Sequence, residues 1–273
     1  MLASWPCRWA IPTMSAQPTA PLVWDGVIGD RARALLRADL GEEMHEGMYL
    51  LEVAAGPKTA VESLILTFLE QLGDESPWVE YWSRGTWGRL GLHRDIDEAL
   101  SQTVTSGRLR QRVGLQRCPS HAHVLYVDLA PGAVAPTCVW GEDRELPPDC
   151  AHDDLSTSRG GAPGALTTLT VVPAVPTRLL RFDGHWLHSV PQPTEEYLCG
   201  PHRGGGRTDA HAEPVERLVL LFNCWSLPPL PASPLSAAQQ SALDKAAARF
   251  AKLSGAETRC RPLDAWRPAT TIA

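Results

Sequence analysis

Apolar residues recur along this chain with two different periods, helical at both ends and strand-like in the middle. Between Lys58 and Leu72 the apolar positions Val61, Leu64, Ile65, Phe68, Leu69 and Leu72 follow i, i+3, i+4, i+7, i+8, i+11, which gathers them on one face of a helix. Val27 to Leu40 has apolar positions compatible with one buried helical face. Further on the pattern tightens. His123–Leu129 and Pro136–Trp140 read as strands, and Leu179–Asp183 reads as a strand running into a turn at Gly184, with His188 shortly after. Arg217–Trp225 is another strand, largely apolar and opened by an arginine. Beyond it, Leu227–Pro234 is a stiff proline-rich connector. Ser236 and Gln239 have the spacing of a capping box, predicting a helix to Leu253 that stops near Gly255. Its face of Leu243, Ala247, Phe250 and Ala251 is expected to dock on the rest of the chain.

Composition narrows the class without naming an activity. A chain of 273 residues with 44% hydrophobic and 21% charged residues is an ordinary globular protein able to bury one sizeable core. The net charge of −6 gives no support for a nucleic-acid-binding surface. No apolar run reaches the roughly 18 residues of a membrane helix, so neither nucleic acid nor membrane is expected as a partner. Seven dispersed cysteines without a Cys-x-x-Cys pair suit a reducing intracellular compartment better than a disulfide framework. Residues 1–23 lack Asp and Glu and carry Arg8 as their sole basic side chain. They are expected to form a disordered leader; one arginine is thin support for organelle targeting, and Met14 is an alternative start. Residues 24–226 then form the main domain, with a helical part over 24–75 and a β core over about 85–226. Residues 227–273 supply the connector and the packed C-terminal helix.

Candidate chemistry sits at the strand ends. His93 and Asp95 are two positions apart, and on an extended strand residues i and i+2 project to one face, where both can reach one metal ion. His188 offers a second imidazole downstream. Two neutral imidazoles and one carboxylate on one face of Fe(II) leave three coordination positions open. Arg217 offers a cation that stays charged when buried and grips a carboxylate with paired hydrogen bonds.

This order of His93-Arg-Asp95, then Phe182-Asp-Gly184 through His188-Ser-Val190, then Arg217-Leu-Val-Leu-Leu-Phe222, resembles the Fe(II)- and 2-oxoglutarate-dependent dioxygenases, in particular their prolyl-4-hydroxylase-like branch. The likeness covers residues 85–226. It implies a double-stranded β-helix, a jelly-roll of two antiparallel sheets, with helices packed outside. It further implies Fe(II) on His93, Asp95 and His188, with Arg217 and Tyr126 holding the tail of 2-oxoglutarate. The implied reaction is hydroxylation of a substrate C–H bond, with O2 and 2-oxoglutarate converted to succinate and CO2 and with ascorbate as a candidate reductant. The substrate would be a protein, peptidyl proline included, or a small molecule; the oligomeric state is not indicated.

Alternatives accompany several assignments. His152-Asp-Asp154 repeats the His-x-Asp pattern, but the family fold places several strands between the paired ligands and the distal histidine, which favours His93 and Asp95. His185 competes locally with His188. Arg217 lies 29 residues after His188 (217 − 188), farther than in the family, so Pro193–Pro214 reads as a surface insertion. Arg203 and Arg207 within it are the alternative anchors. The stretch from Asp95 to Tyr126 reads as a second insertion. Asp97 and Glu98 read as solvated loop acids, Trp140 and Trp225 as core. His121, His123, His202 and His211 have no evident partners in the sequence. Two other functional classes remain: a jelly-roll that has lost catalysis and acts as a binding module, and a cupin-type metal enzyme that does not use 2-oxoglutarate.

Overall fold

The computed structural model describes residues 20–44, 47–105, 117–130, 135–142, 166–191, 216–230, 234–253 and 258–269. His152, Asp154, His202, Arg203, Arg207 and His211, with the whole 193–214 segment and residues 1–19, lie outside these. The described strands are β1 (Leu22–Asp25), β2 (Met48–Glu52), β3 (Trp78–Thr86), β4 (Leu90–His93), β5 (His121–Leu129), β6 (Thr137–Glu142), β7 (Leu166–Val172), β8 (Arg178–Asp183), β9 (Leu187–Val190), β10 (Glu216–Trp225) and β11 (Arg267–Pro268). The helices are α1 (Asp30–Ala38), α2 (Ala60–Leu72), α3 (Glu98–Thr105) and α4 (Ala237–Phe250).

All pairings are antiparallel, in a large sheet of order β11-β1-β8-β5-β10-β3-β2 and a small one of order β4-β9-β6-β7. From β3 to β10 the chain visits large, small, large, small, small, large, small, large. It therefore pairs β3 with β10 and β5 with β8 on one side, and β4 with β9 and β6 with β7 on the other. This winding between two facing sheets is a double-stranded β-helix, the jelly-roll the sequence implied. β1, β11 and β2 widen the large sheet at its two edges.

The large sheet is covered on both faces, which explains its nearly continuous apolar strands. Ala122, Val124 and Tyr126 of β5 point between the sheets, with Leu180, Phe182, Val219, Val139 and Val172. Leu125, Val127, Leu179, Leu220 and Phe222 point the other way, against Leu64, Ile65 and Phe68 of α2. Helix α2 starts where Thr59 accepts a hydrogen bond from the Glu62 amide at 3.1 Å and stops at Gly73 in the left-handed conformation, φ 62°.

Some expectations need revision. Residues 24–75 are not purely helical, because they include most of β1 and all of β2. Leu22 and Val23, placed in the leader, already pair with Arg181 and Leu180 of β8. Strand β2 alternates cleanly, but two of its three outward positions are Met48 and Leu50, so polarity gives little contrast along the chain. The first helix begins at Asp30 rather than Val27 and passes into a π-helical turn over Asp39–Glu43. Helix α4 has the expected capping box at Ser236 and Gln239 but ends at Phe250, not Leu253. Its buried residues are Ala242 and Ala246 rather than Ala247 and Ala251. The small-residue face lets the helix approach α2 and the π-turn, where Arg249 donates to buried Asp39 at 2.6 Å. Trp140 is half-buried, whereas Trp225 is core. The second expected insertion holds α3, and residues 106–116 of it lie outside the described set.

Candidate metal and co-substrate site

His93 closes β4 and is the cross-strand partner of His188 in β9. Their rings lie 4.2 Å apart between centroids. His188 thus lies inside a strand, past the turn at Gly184. Asp95 is also placed differently from the alternation argument. It lies two residues past the end of β4, where the chain leaves the sheet to enter α3. Even so, one ligand atom each from His93, Asp95 and His188 falls within 4.8 Å of the others. The Nε2 atoms of His93 and His188 stand 3.7 and 3.8 Å from Asp95 Oδ1. Those gaps are too long for hydrogen bonds and suit donors that share an ion through bonds of roughly 2 Å.

Each ligand is oriented by a group behind it. The Nδ1–H of His93 donates to the Gly91 carbonyl at 2.8 Å, and that of His188 to the Trp186 carbonyl at 3.3 Å. Both Nε2 lone pairs are therefore left facing Asp95. Burial pushes the pKa of His188 below its usual value, against the pull of Asp95 and with help from His93, which favours the neutral, metal-binding form. Asn223 of β10 donates from Nδ2 to Asp95 Oδ2 at 3.1 Å, leaving Oδ1 for an ion. Phe182 packs on the His188 ring, with centroids 5.0 Å apart.

Asp97 is not a solvated loop acid. It is buried and accepts from the Leu100 amide at 2.9 Å, the Leu230 amide at 2.9 Å and the Arg117 guanidinium. Burial alone would raise its pKa, but these two amides and the guanidinium hold it below the usual carboxylate value. Asp97 thereby fixes the start of α3 and the turn that carries Asp95. It is a positioning residue.

Gly184, in the turn between β8 and β9, sits against backbone. A Cβ there would come within 2.2 Å of the Pro119 carbonyl oxygen, so the turn that leads to His188 tolerates only glycine without rearrangement.

The triad lines a cavity of about 590 Å³ between the sheets, and Arg217 lines the same cavity, a volume in the range of small-molecule sites. Arg217 is 5% exposed, its Nε has no hydrogen-bond partner, and among the described residues no carboxylate pairs with it. The Tyr126 ring lies beneath it, 5.3 Å from the guanidinium carbon. Tyr126 itself is fully buried and donates its hydroxyl to Thr137 Oγ1 at 2.7 Å. It therefore supports Arg217 from behind while Thr137 lines the cavity. Burial lowers the Arg217 pKa, yet a guanidinium remains charged at any physiological pH. A buried cation of this kind calls for an anion. Glu80 also lines the cavity; burial and then the charges of Asp95, Asp97 and Glu98 push its pKa up to about 7.

His185 is exposed at the turn, where its amide donates to Asp183 Oδ1 at 2.9 Å. His121 and His123 have partners that the sequence did not reveal, in a cluster with Asp74, Arg181 and Cys224. Asn223, Thr137 and Glu80 escaped the sequence reading because nothing local marks them. Their roles come from facing a cavity that other strands complete. No helix among the described residues is long and apolar enough to cross a membrane.

No family model matches the sequence, and no curated protein does. Solved structures do match. A prolyl-4-hydroxylase from Pseudomonas putida is 13% identical with a TM-score of 0.40, over 79% of this chain and 88% of that one. HygX from Streptomyces hygroscopicus, with nickel and 2-oxoglutarate bound, is 16% identical with a TM-score of 0.40, over 81% and 88%. EctD from S. alaskensis, in its apoform, is 12% identical with a TM-score of 0.40, over 79% and 78%. At these identities and scores the likeness assigns neither a residue nor an activity to this chain.

Proposed function

We propose that this protein is an Fe(II)- and 2-oxoglutarate-dependent oxygenase that hydroxylates a C–H bond of its substrate. The observation that carries the reading is a single cavity that presents a His-Asp-His donor set and a buried arginine without a carboxylate partner among the described residues. The donor set fits iron: two imidazoles with free Nε2 atoms and one carboxylate oxygen converge at the cavity wall, leaving the cavity side open. When bound, the iron and 2-oxoglutarate supply the oxidising power, with O2 consumed and 2-oxoglutarate converted to succinate and CO2.

The chain's own residues do the positioning. His93, Asp95 and His188 hold the ion, and Asn223 keeps Asp95 turned toward it. Arg217 receives the remote carboxylate of 2-oxoglutarate, with Tyr126 as its floor. The two sheets keep bulk water from the reacting carbon, and Glu80 and Glu98 line the cavity. The substrate is a protein side chain, peptidyl proline included, or a small molecule that enters this cavity. Ascorbate is the candidate reductant for a protein left oxidised without turnover.

The test is anaerobic titration of metal-free protein with Fe(II) and then 2-oxoglutarate, following the weak visible charge-transfer band of the chelate. A saturable band that is lost in His188→Ala and weakened in Arg217→Ala is expected. Iron binding without a band would overturn the use of 2-oxoglutarate and leave a cupin-type metal enzyme. No iron binding would overturn the enzyme reading and leave a binding module.

A further inference from the structure

The helix-covered face of the large sheet holds a second cluster of metal-binding side chains. Asp74 follows the glycine cap of α2, and beneath it β5 presents His121 and His123, β8 presents Arg181, and β10 presents Cys224. Ligand atoms of Asp74, His123 and Cys224 fall within 4.8 Å of one another. His123 Nδ1 is 3.9 Å from Cys224 Sγ. Both residues are at most 1% exposed, and His123 Nε2 is buried without a hydrogen-bond partner. The surroundings otherwise favour apolar side chains: the His123 ring stacks on Phe222 at 4.3 Å, and Phe222 stacks on Phe68 of α2. Leaving a polar ring atom unsatisfied in such a place costs free energy that a ligand would recover.

We propose that Asp74, His123 and Cys224 form a second metal site, for a thiophilic divalent ion of the zinc type. The donor chemistry separates it from the cavity site. Sulfur, imidazole nitrogen and one carboxylate oxygen suit zinc, whereas His93, Asp95 and His188 include no thiolate. On binding, the Cys224 thiol loses its proton to solvent and the sulfur forms the metal bond. Asp74 Oδ1 accepts from the Ser76 amide at 3.0 Å. Arg181 Nη2 and His121 Nδ1 each lie 2.9 Å from Asp74 Oδ2. They fix the carboxylate, and the Arg181 cation opposes the incoming ion, so ionisation of Cys224 is needed to offset it. The bound metal would tie β5 and β10 to the end of α2, a structural role.

Cobalt(II) is the probe, added to chelator-treated full-length protein. The expected result is a strong near-ultraviolet thiolate-to-cobalt absorption that saturates by two equivalents, one for each site, and is bleached by zinc. It should persist in the double variant His93→Ala, His188→Ala and vanish in Cys224→Ser. Absence of the absorption in the wild-type protein at saturating cobalt would overturn the proposal, whatever the folding of the variants. So would its survival in Cys224→Ser or its loss in the double variant. The cavity reading is tested separately, by the visible band that needs Fe(II), 2-oxoglutarate and Arg217.

Discussion

Replacing Arg217 by methionine should separate stability from function in opposite directions. The guanidinium is 5% exposed, lacks a partner at Nε, and has no carboxylate beside it among the described residues. Replacing buried charged groups by apolar residues of similar volume is often neutral or stabilising by roughly 1–4 kcal/mol. Against this, methionine forfeits the contact with the Tyr126 ring at 5.3 Å, on the order of 1 kcal/mol. The balance for Arg217→Met is a protein as stable as the wild type or more so, by up to about 3 kcal/mol, without ligand. The ligand-bound state reverses the order. With 2-oxoglutarate at about 100 times its wild-type dissociation constant, the wild type should gain about 2.7 kcal/mol, and the variant, which binds it more weakly, should gain much less. Urea denaturation of the metal-free protein, followed by thermal shifts with Mn(II) and 2-oxoglutarate under anaerobic conditions, reads both quantities. If Arg217→Met were destabilised by more than about 2 kcal/mol and still responded to 2-oxoglutarate as the wild type does, Arg217 would be a structural cation and the anchor assignment would fail.

Asn223→Ala should weaken Fe(II) binding about 10- to 100-fold, as expected for loss of a group that orients a ligand, while far-ultraviolet circular dichroism stays unchanged. Unchanged affinity would show that Asp95 needs no support. Gly184→Ala should cost roughly 1–3 kcal/mol in urea denaturation, because the new methyl group meets the Pro119 backbone; an equally stable variant would refute the close approach. Glu80→Gln should stabilise metal-free protein at pH 8 but not at pH 5. The folded carboxyl, with its pKa pushed up to about 7, keeps a proton that the unfolded chain releases near pH 4.5, so wild-type stability falls as pH rises between those values. The variant does not titrate and escapes a loss on the order of 1–3 kcal/mol. Equal pH dependence of the two proteins would remove Glu80 from the account.

Much of the architecture was legible because covering both faces of a sheet leaves a mark on the chain. The apolar runs of β5 and β10, the 3.6-residue stripe of α2 and the capping box of α4 all report local rules that the folded protein obeys. Order along the chain likewise brought His93, Asp95, His188 and Arg217 forward as candidates, although Asp95 lies past the end of β4 and not on a strand. What the chain alone could not decide is which groups face one another across it. β2 hides among exposed apolar residues and is a strand because β3 offers it an edge. Asp97 has the same composition around it as a solvated acid, yet Arg117 and the Leu100 and Leu230 amides bury it. Asn223 lies 128 residues from Asp95, and Cys224 lies 101 from His123; such pairs exist only once β10 has been threaded beside β5. The sequence by itself determined periodicity, capping and the supply of donors, since these act within a few residues. The tertiary structure decided which donors converge and which charges are left without partners, since burial and long-range pairing depend on topology.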